Sequence, residues 1–142
     1  MAARHGRTIV VGVDGSPAAR AAVRWAADQA RELERELVLV HAREDGRPTP
    51  FPAIPPDADD RVLTPYRDEL GEPPPLAVRH RIVDGPPARA LVGASDSALM
   101  IVLGRPRRRL SSWPAPSSLT RRVLAGARCP VVLVPEHLEA PE

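Results

Sequence analysis

The sequence predicts an α/β protein: an open, mainly parallel sheet of five strands with helices on both faces. Three observations carry this. Short β-branched or aliphatic runs recur at Thr8–Val13, Leu37–Val40, Ala98–Leu103 and Val131–Val134, joined by an alternating one from Leu76 to Ile82. The segments between most of them hold apolar residues at steps of three and four, the spacing of a helix face. A crossover of helical length between two strands makes them parallel neighbours, which fixes the architecture.

Taken in order, Thr8–Val13 reads as a buried strand that ends in a turn at Asp14 and Gly15. Ser16 and Pro17 then open a helix. A hydroxyl at the N-cap accepts an orphan amide, and proline at the first helical position gives up an N–H that has no partner there. Ala19, Ala22, Val23, Ala26, Ala30 and Leu33 are its expected inner stripe; Arg24 and Asp28 are spaced for a weak surface pair. The second strand runs from Leu37 to Val40 into His41 and Ala42. Between Arg43 and Pro75 the periodicity fails, because Pro48, Pro50, Pro52, Pro55, Pro56 and Pro73–Pro75 deny the backbone regular structure. A short helix within Asp57–Leu70, interrupted at Pro65, is the one regular element expected there. The stretch reads as disorder or a surface flap before it reads as a defined lid.

Leu76, Val78, His80 and Ile82 alternate with polar or small residues, which suits a half-exposed edge strand. Gly85, Pro86 and Pro87 turn the chain into a short helix bearing Ala90, Leu91 and Ala94. The strand Ala98–Leu103 ends at Gly104 and passes into an arginine-rich loop. The last helix is capped by Ser117 or Ser118, with Leu119, Val123, Leu124 and Ala127 inward and Arg121, Arg122 and Arg128 outward. Val131–Val134 is the final strand, and the polar residues after it should fray.

Composition sets the outer bounds. A chain of 142 residues suits one domain with a real core, and its 43% hydrophobic and 27% charged content is ordinary. Aromatics make up 3%, so the core must be aliphatic. Every basic side chain other than histidine is arginine. One cysteine, Cys129, excludes an internal disulfide and a multi-cysteine metal site. With no targeting segment and no long apolar run, a cytoplasmic setting and no membrane association are expected.

In this order the residues resemble the universal stress protein family. The likeness rests on IVVGVDGSPAARAAVRWA, LVLVHA, VDGPPARAL and the terminal VLG, SS and VLAGARCPVVLVP, and covers the chain outside Arg43–Pro75. It implies a single domain over residues 1–142 with an irregular insertion at 43–75, and strand order 3-2-1-4-5. It also implies ATP or AMP across the carboxyl ends of the first, second and fourth strands. By the same resemblance Asp14 lies beside ribose or adenine and Ala42 flanks the base. The family's phosphate motif is glycine, two residues, glycine, nine residues, then glycine and Ser or Thr. Here Gly104 and Ser118 keep its ends, while Arg107 and Ser117 replace its second and third glycines. Glycines in such loops allow positive φ and close backbone approach, and Pro106, Pro114 and Pro116 remove further donors. No acidic residue occurs between Ser97 and Pro135, so arginines are left to supply phosphate donors.

The reading that follows is a non-enzymatic stress-response protein with a degraded nucleotide site. The alternative is a working ATP or AMP binder, with arginines in place of glycines and at most slow hydrolysis. Family resemblance also implies a homodimer through Val131, Val132, Leu133 and Val134, strand against strand. Nucleic acid is not the expected partner: the arginines lack interleaved aromatics and a recognition motif. The residues exclude several enzymes. A P-loop needs lysine, a dinucleotide fold needs GxGxxG after the first strand, and a phosphoacceptor receiver needs paired acids and a lysine. His41 reads as a packing residue, Cys129 as an inert thiol, and Ser118 first as a helix cap.

Overall fold

The computed structural model describes residues 8–43, 64–75, 77–106 and 118–137. Its strands are β1 (Thr8–Gly12), β2 (Glu36–Arg43), β3 (Val78–Asp84), β4 (Ala98–Arg105) and β5 (Val131–Pro135). Its helices are α1 (Pro17–Leu33), α2 (Arg67–Leu70), α3 (Pro87–Ala94) and α4 (Ser118–Gly126), with single 3₁₀ turns at Thr64–Tyr66 and Ser95–Ser97. The sheet order is β3-β2-β1-β4-β5, and every pairing is parallel. β3 is an edge strand, as its alternating pattern predicts.

Two cores lie on opposite faces of the sheet. One is formed by α1 with Tyr66 and Leu70 against Ile9, Val11, Leu37, Leu39 and Val102. The other is formed by Ala88, Leu91 and Val123 against Val10, Val40, Ile101 and Leu103. Alternate residues of each central strand therefore feed different cores, as the two-residue strand period requires.

α1 begins as its sequence dictates. Ser16 is extended and its hydroxyl accepts the Ala19 N–H at 3.1 Å, with Pro17 in the first turn. The helix ends in a Schellman turn, in which Arg35 N–H reaches Ala30 O at 2.9 Å and Glu34 takes a left-handed φ of 54°. Its buried face is almost all alanine: Ala18, Ala19, Ala22, Ala26, Ala27 and Ala30, with Val23. Small side chains let α1 lie close to the sheet, and that closeness shapes the site below.

Several expectations are corrected. Leu33 is 44% exposed, because it sits on the last turn of α1 beyond the packed stripe. Asp28 pairs with Arg31, one turn on, where Arg24 was the expected partner. Leu124 is 50% exposed, whereas Thr120 is 5% exposed; burying Thr120 turns the inner stripe of α4 toward residues 120 and 123. Arg121, Arg122 and Arg128 face outward as expected.

The largest difference concerns the proline-rich stretch. Part of it, residues 44–63, lies outside the described residues, but residues 64–75 dock on α1. Tyr66 is 0% exposed and Leu70 8%, both within the core of that face. Arg20 donates to Pro65 O at 2.8 Å, and Arg31 donates to Leu70 O. Arg20 also lies 3.5 Å from the buried carboxylate of Glu69 and 5.8 Å from the centroid of the Tyr66 ring.

Burial raises the Tyr66 hydroxyl from its ordinary 10 to about 12, the neighbouring Asp14 and Glu69 charges adding to burial, while the Gly15 N–H and Arg20 oppose it. The folded state therefore holds a proton that the unfolded chain releases near pH 10. Its contribution is complete below pH 10 and is lost as pH rises toward 12, a loss of at most about 3 kcal/mol. The chain has no lysine and one tyrosine, and the other group that burial raises, the Cys129 thiol, starts from an ordinary value near 9 and shares this alkaline range. Urea unfolding from pH 9 to 12 should show this decline, and Tyr66→Phe in a Cys129→Ala background should flatten it.

Candidate functional site

β1, β2 and β4 all end at one crevice, where parallel strands deliver chain turns that no neighbouring strand covers. β1 leaves the sheet through Gly12, Val13 and Asp14. Gly15 follows at φ 82°, a left-handed conformation suited to glycine. The Asp14 Oδ1 accepts the Ser16 N–H at 2.9 Å, which closes an Asx turn and holds the carboxylate at the mouth of the crevice, exposed. His41 is buried behind it, Nδ1 3.3 Å from Val13 O, in the packing role expected of it.

Gly104, at the end of β4, is required by contact rather than by φ. A side chain there would drive Cβ into the carbonyl of Ala18 and to 2.9 Å from the Ala18 methyl. The alanine face of α1 thus brings its first turn against the bare backbone of β4. This glycine fits helix to sheet, a role that its place in a phosphate motif does not reveal.

Together these elements enclose a cavity of about 310 Å³, at the lower end for small-molecule sites. Asp14, Ala42 and Gly104 all line it. Its apolar wall comes from Val40, Pro87, Leu91, Leu103 and Leu119, and its polar groups from Asp14, Ser16 and Thr120. Ser118 opens α4 as an exposed residue and is not part of the described wall; Leu119 and Thr120 take that position. Arg107 and Ser117 lie outside the described residues. Thr120 escapes a reading that looks for motif hydroxyls, because its burial depends on how α4 packs.

Three of the amides at the start of α1 have acceptors within the protein. Gly15 N–H donates to the Tyr66 hydroxyl at 2.9 Å, Ser16 N–H to Asp14, and Ala19 N–H to Ser16 Oγ, while Pro17 has none. A helix N-terminus attracts anions through such donors. Here three of them are taken by the Tyr66 hydroxyl, the Asp14 carboxylate and the Ser16 hydroxyl.

A family model described as the universal stress protein family matches residues 6–135. The chain belongs to the universal stress protein family. A universal stress protein of Mycobacterium tuberculosis strain H37Rv is 34% identical over 143 residues, covering 89% of this chain and 46% of that one. The chain thus spans about half the length of the curated relatives it matches. A universal stress protein solved in complex with cAMP is 26% identical, with a TM-score of 0.68 over 93% of this chain and 98% of that one. An Archaeoglobus fulgidus family structure in complex with dAMP is 21% identical, with a TM-score of 0.59 over 89% and 96%, and shows the shared fold. Like these neighbours, this universal stress protein has a Rossmann-like α/β sheet. Among its described residues no helix is long and apolar enough to cross a membrane.

Proposed function

We propose that this universal stress protein is a regulatory, non-enzymatic binder of an adenine nucleotide, held chiefly by its base and ribose. The observation that carries this is the convergence of Asp14, Ala42 and Gly104 on one apolar-walled cavity. An aromatic base fits between Val40, Ala42, Leu91 and Leu103. Ribose hydroxyls then donate to the Asp14 carboxylate, whose Oδ1 is already fixed by Ser16. The cAMP complex of a 26% identical neighbour supports an adenine ligand.

Within that reading the monophosphate is preferred to ATP. The described wall carries a negative charge at Asp14, and three amides at the start of α1 are already taken, a poor setting for a triphosphate. Phosphate donors are left to the arginine-rich segment after β4, in which Arg107 stands where the family motif has glycine. This keeps part of the degraded-site reading: the triphosphate end is lost, the nucleoside end retained. Turnover is not expected, since in the described wall the Asp14 carboxylate is engaged by the Ser16 N–H and the Ser16 hydroxyl by the Ala19 N–H.

Calorimetry tests both halves. AMP or cAMP should bind at least as tightly as ATP, and ATP should remain unhydrolysed. ATP binding ten times tighter than AMP would reject the preference, and no binding of any adenine nucleotide would reject the reading. The same proposal includes a cytoplasmic homodimer through β5, where Val131, Val132 and Leu133 are only partly buried at the sheet edge. A monomer at micromolar concentration by sedimentation would contradict that part.

A further inference from the structure

The β1–α1 turn that presents Asp14 is tied from behind by a segment distant in sequence. Tyr66 lies completely buried, and its hydroxyl accepts the Gly15 N–H at 2.9 Å across a separation of 51 residues. Gly15 is the next residue to Asp14, and the residue after it, Ser16, donates to the Asp14 carboxylate. The ring is placed by a second set of ties. Arg20 binds Pro65 O at 2.8 Å and approaches Glu69 at 3.5 Å, while Arg31 reaches Leu70 O and Pro73 O.

From this arrangement we infer that residues 64–75 act as a strap, and that Tyr66 is a positioning residue for the ligand at Asp14. The inference rests on the nucleotide reading for its ligand, but its geometry stands apart from it. Gly15 sits at a φ of 82°, where glycine is also free to adopt many other conformations. One hydrogen bond to a rigid, buried ring removes that freedom from the residue beside the carboxylate. Without it the Asx turn samples other shapes, and the ligand must pay the ordering cost on binding. The coupling is reciprocal: a nucleotide seated on Asp14 stabilises the strap as much as the strap favours the nucleotide. Residues 64–75 thereby act on the site through Gly15.

Tyr66→Phe isolates the hydroxyl, since the ring still fills its place. Ile9→Val serves as a control that lowers stability at a buried position outside the cavity wall. In the intact chain, AMP affinity should fall about fivefold to tenfold in Tyr66→Phe, the range for one lost hydrogen bond. It should stay within about twofold in Ile9→Val. Amide exchange at Gly15 and Ser16 in the ligand-free protein should accelerate only in Tyr66→Phe. If the wild type binds AMP and Tyr66→Phe binds it within twofold, the inference is overturned. If the wild type binds no adenine nucleotide, the functional reading fails, and amide exchange alone decides the strap. Faster exchange at Gly15 and Ser16 upholds it, and unchanged exchange overturns it.

Discussion

Replacing Gly104 with alanine is expected to lower the stability of the fold by about 3 kcal/mol, the upper part of the range for overpacking a tight contact. Its new methyl meets the backbone of Ala18 on one side and the Ala18 side chain at 2.9 Å on the other. A flexible side chain could swing away, but a helix carbonyl cannot. Relief requires α1 to move off β4, and that separates the elements that close the cavity. The result should be a lower urea midpoint together with weakened AMP binding. Ala18→Gly in the same chain should restore little, because it removes the methyl contact and leaves the carbonyl contact. Full recovery in that double variant would show that the close approach is a side-chain effect.

Asp14→Ala should have the larger effect on binding. It removes the carboxylate proposed to accept the ribose hydroxyls and the acceptor that shapes the turn through Ser16. A charge-assisted hydrogen bond contributes about 1.5–3 kcal/mol, so AMP affinity should fall by about tenfold to a hundredfold. Stability should fall by less, about 1 kcal/mol, since Ser16 still caps α1. Asp14→Asn keeps the Asx turn and loses the charge, and should lie between the two. Unchanged affinity in Asp14→Ala would remove this residue from the site.

How far the molecule is legible in its sequence follows from the range of the interactions. Ser16 and Pro17 act within one turn of chain, so the start of α1 is plain from the residues alone. The strands are plain as well, because β-branched runs bounded by Gly and Pro are local signals. Gly104 is visible as a glycine, but its reason is not: nothing near it in sequence shows that Ala18 will press against it. Tyr66 is hidden further still. It sits among prolines that argue against regular structure, and its partners Gly15 and Arg20 come from the other end of the first crossover. The faint signal was its being the chain's single tyrosine. Leu124, expected inward, is exposed and Thr120 is buried for a related reason, since helix periodicity fixes the width of a buried stripe better than its rotation.

The crevice between β1, β2 and β4 is the proposed seat of the nucleotide. A second cavity of about 370 Å³ lies between β3 and α3, lined by Arg81, Asp84, Val83 and Arg89, and offers a natural comparison. The most direct measurement is an amide NMR titration of the isotope-labelled protein with AMP. Saturable shifts are expected at Asp14, Ala42, Gly104 and Thr120, with Val83 and Arg89 moving little. Shifts centred on Val83 and Arg89, with Asp14 and Gly104 unmoved, would contradict the proposed seat.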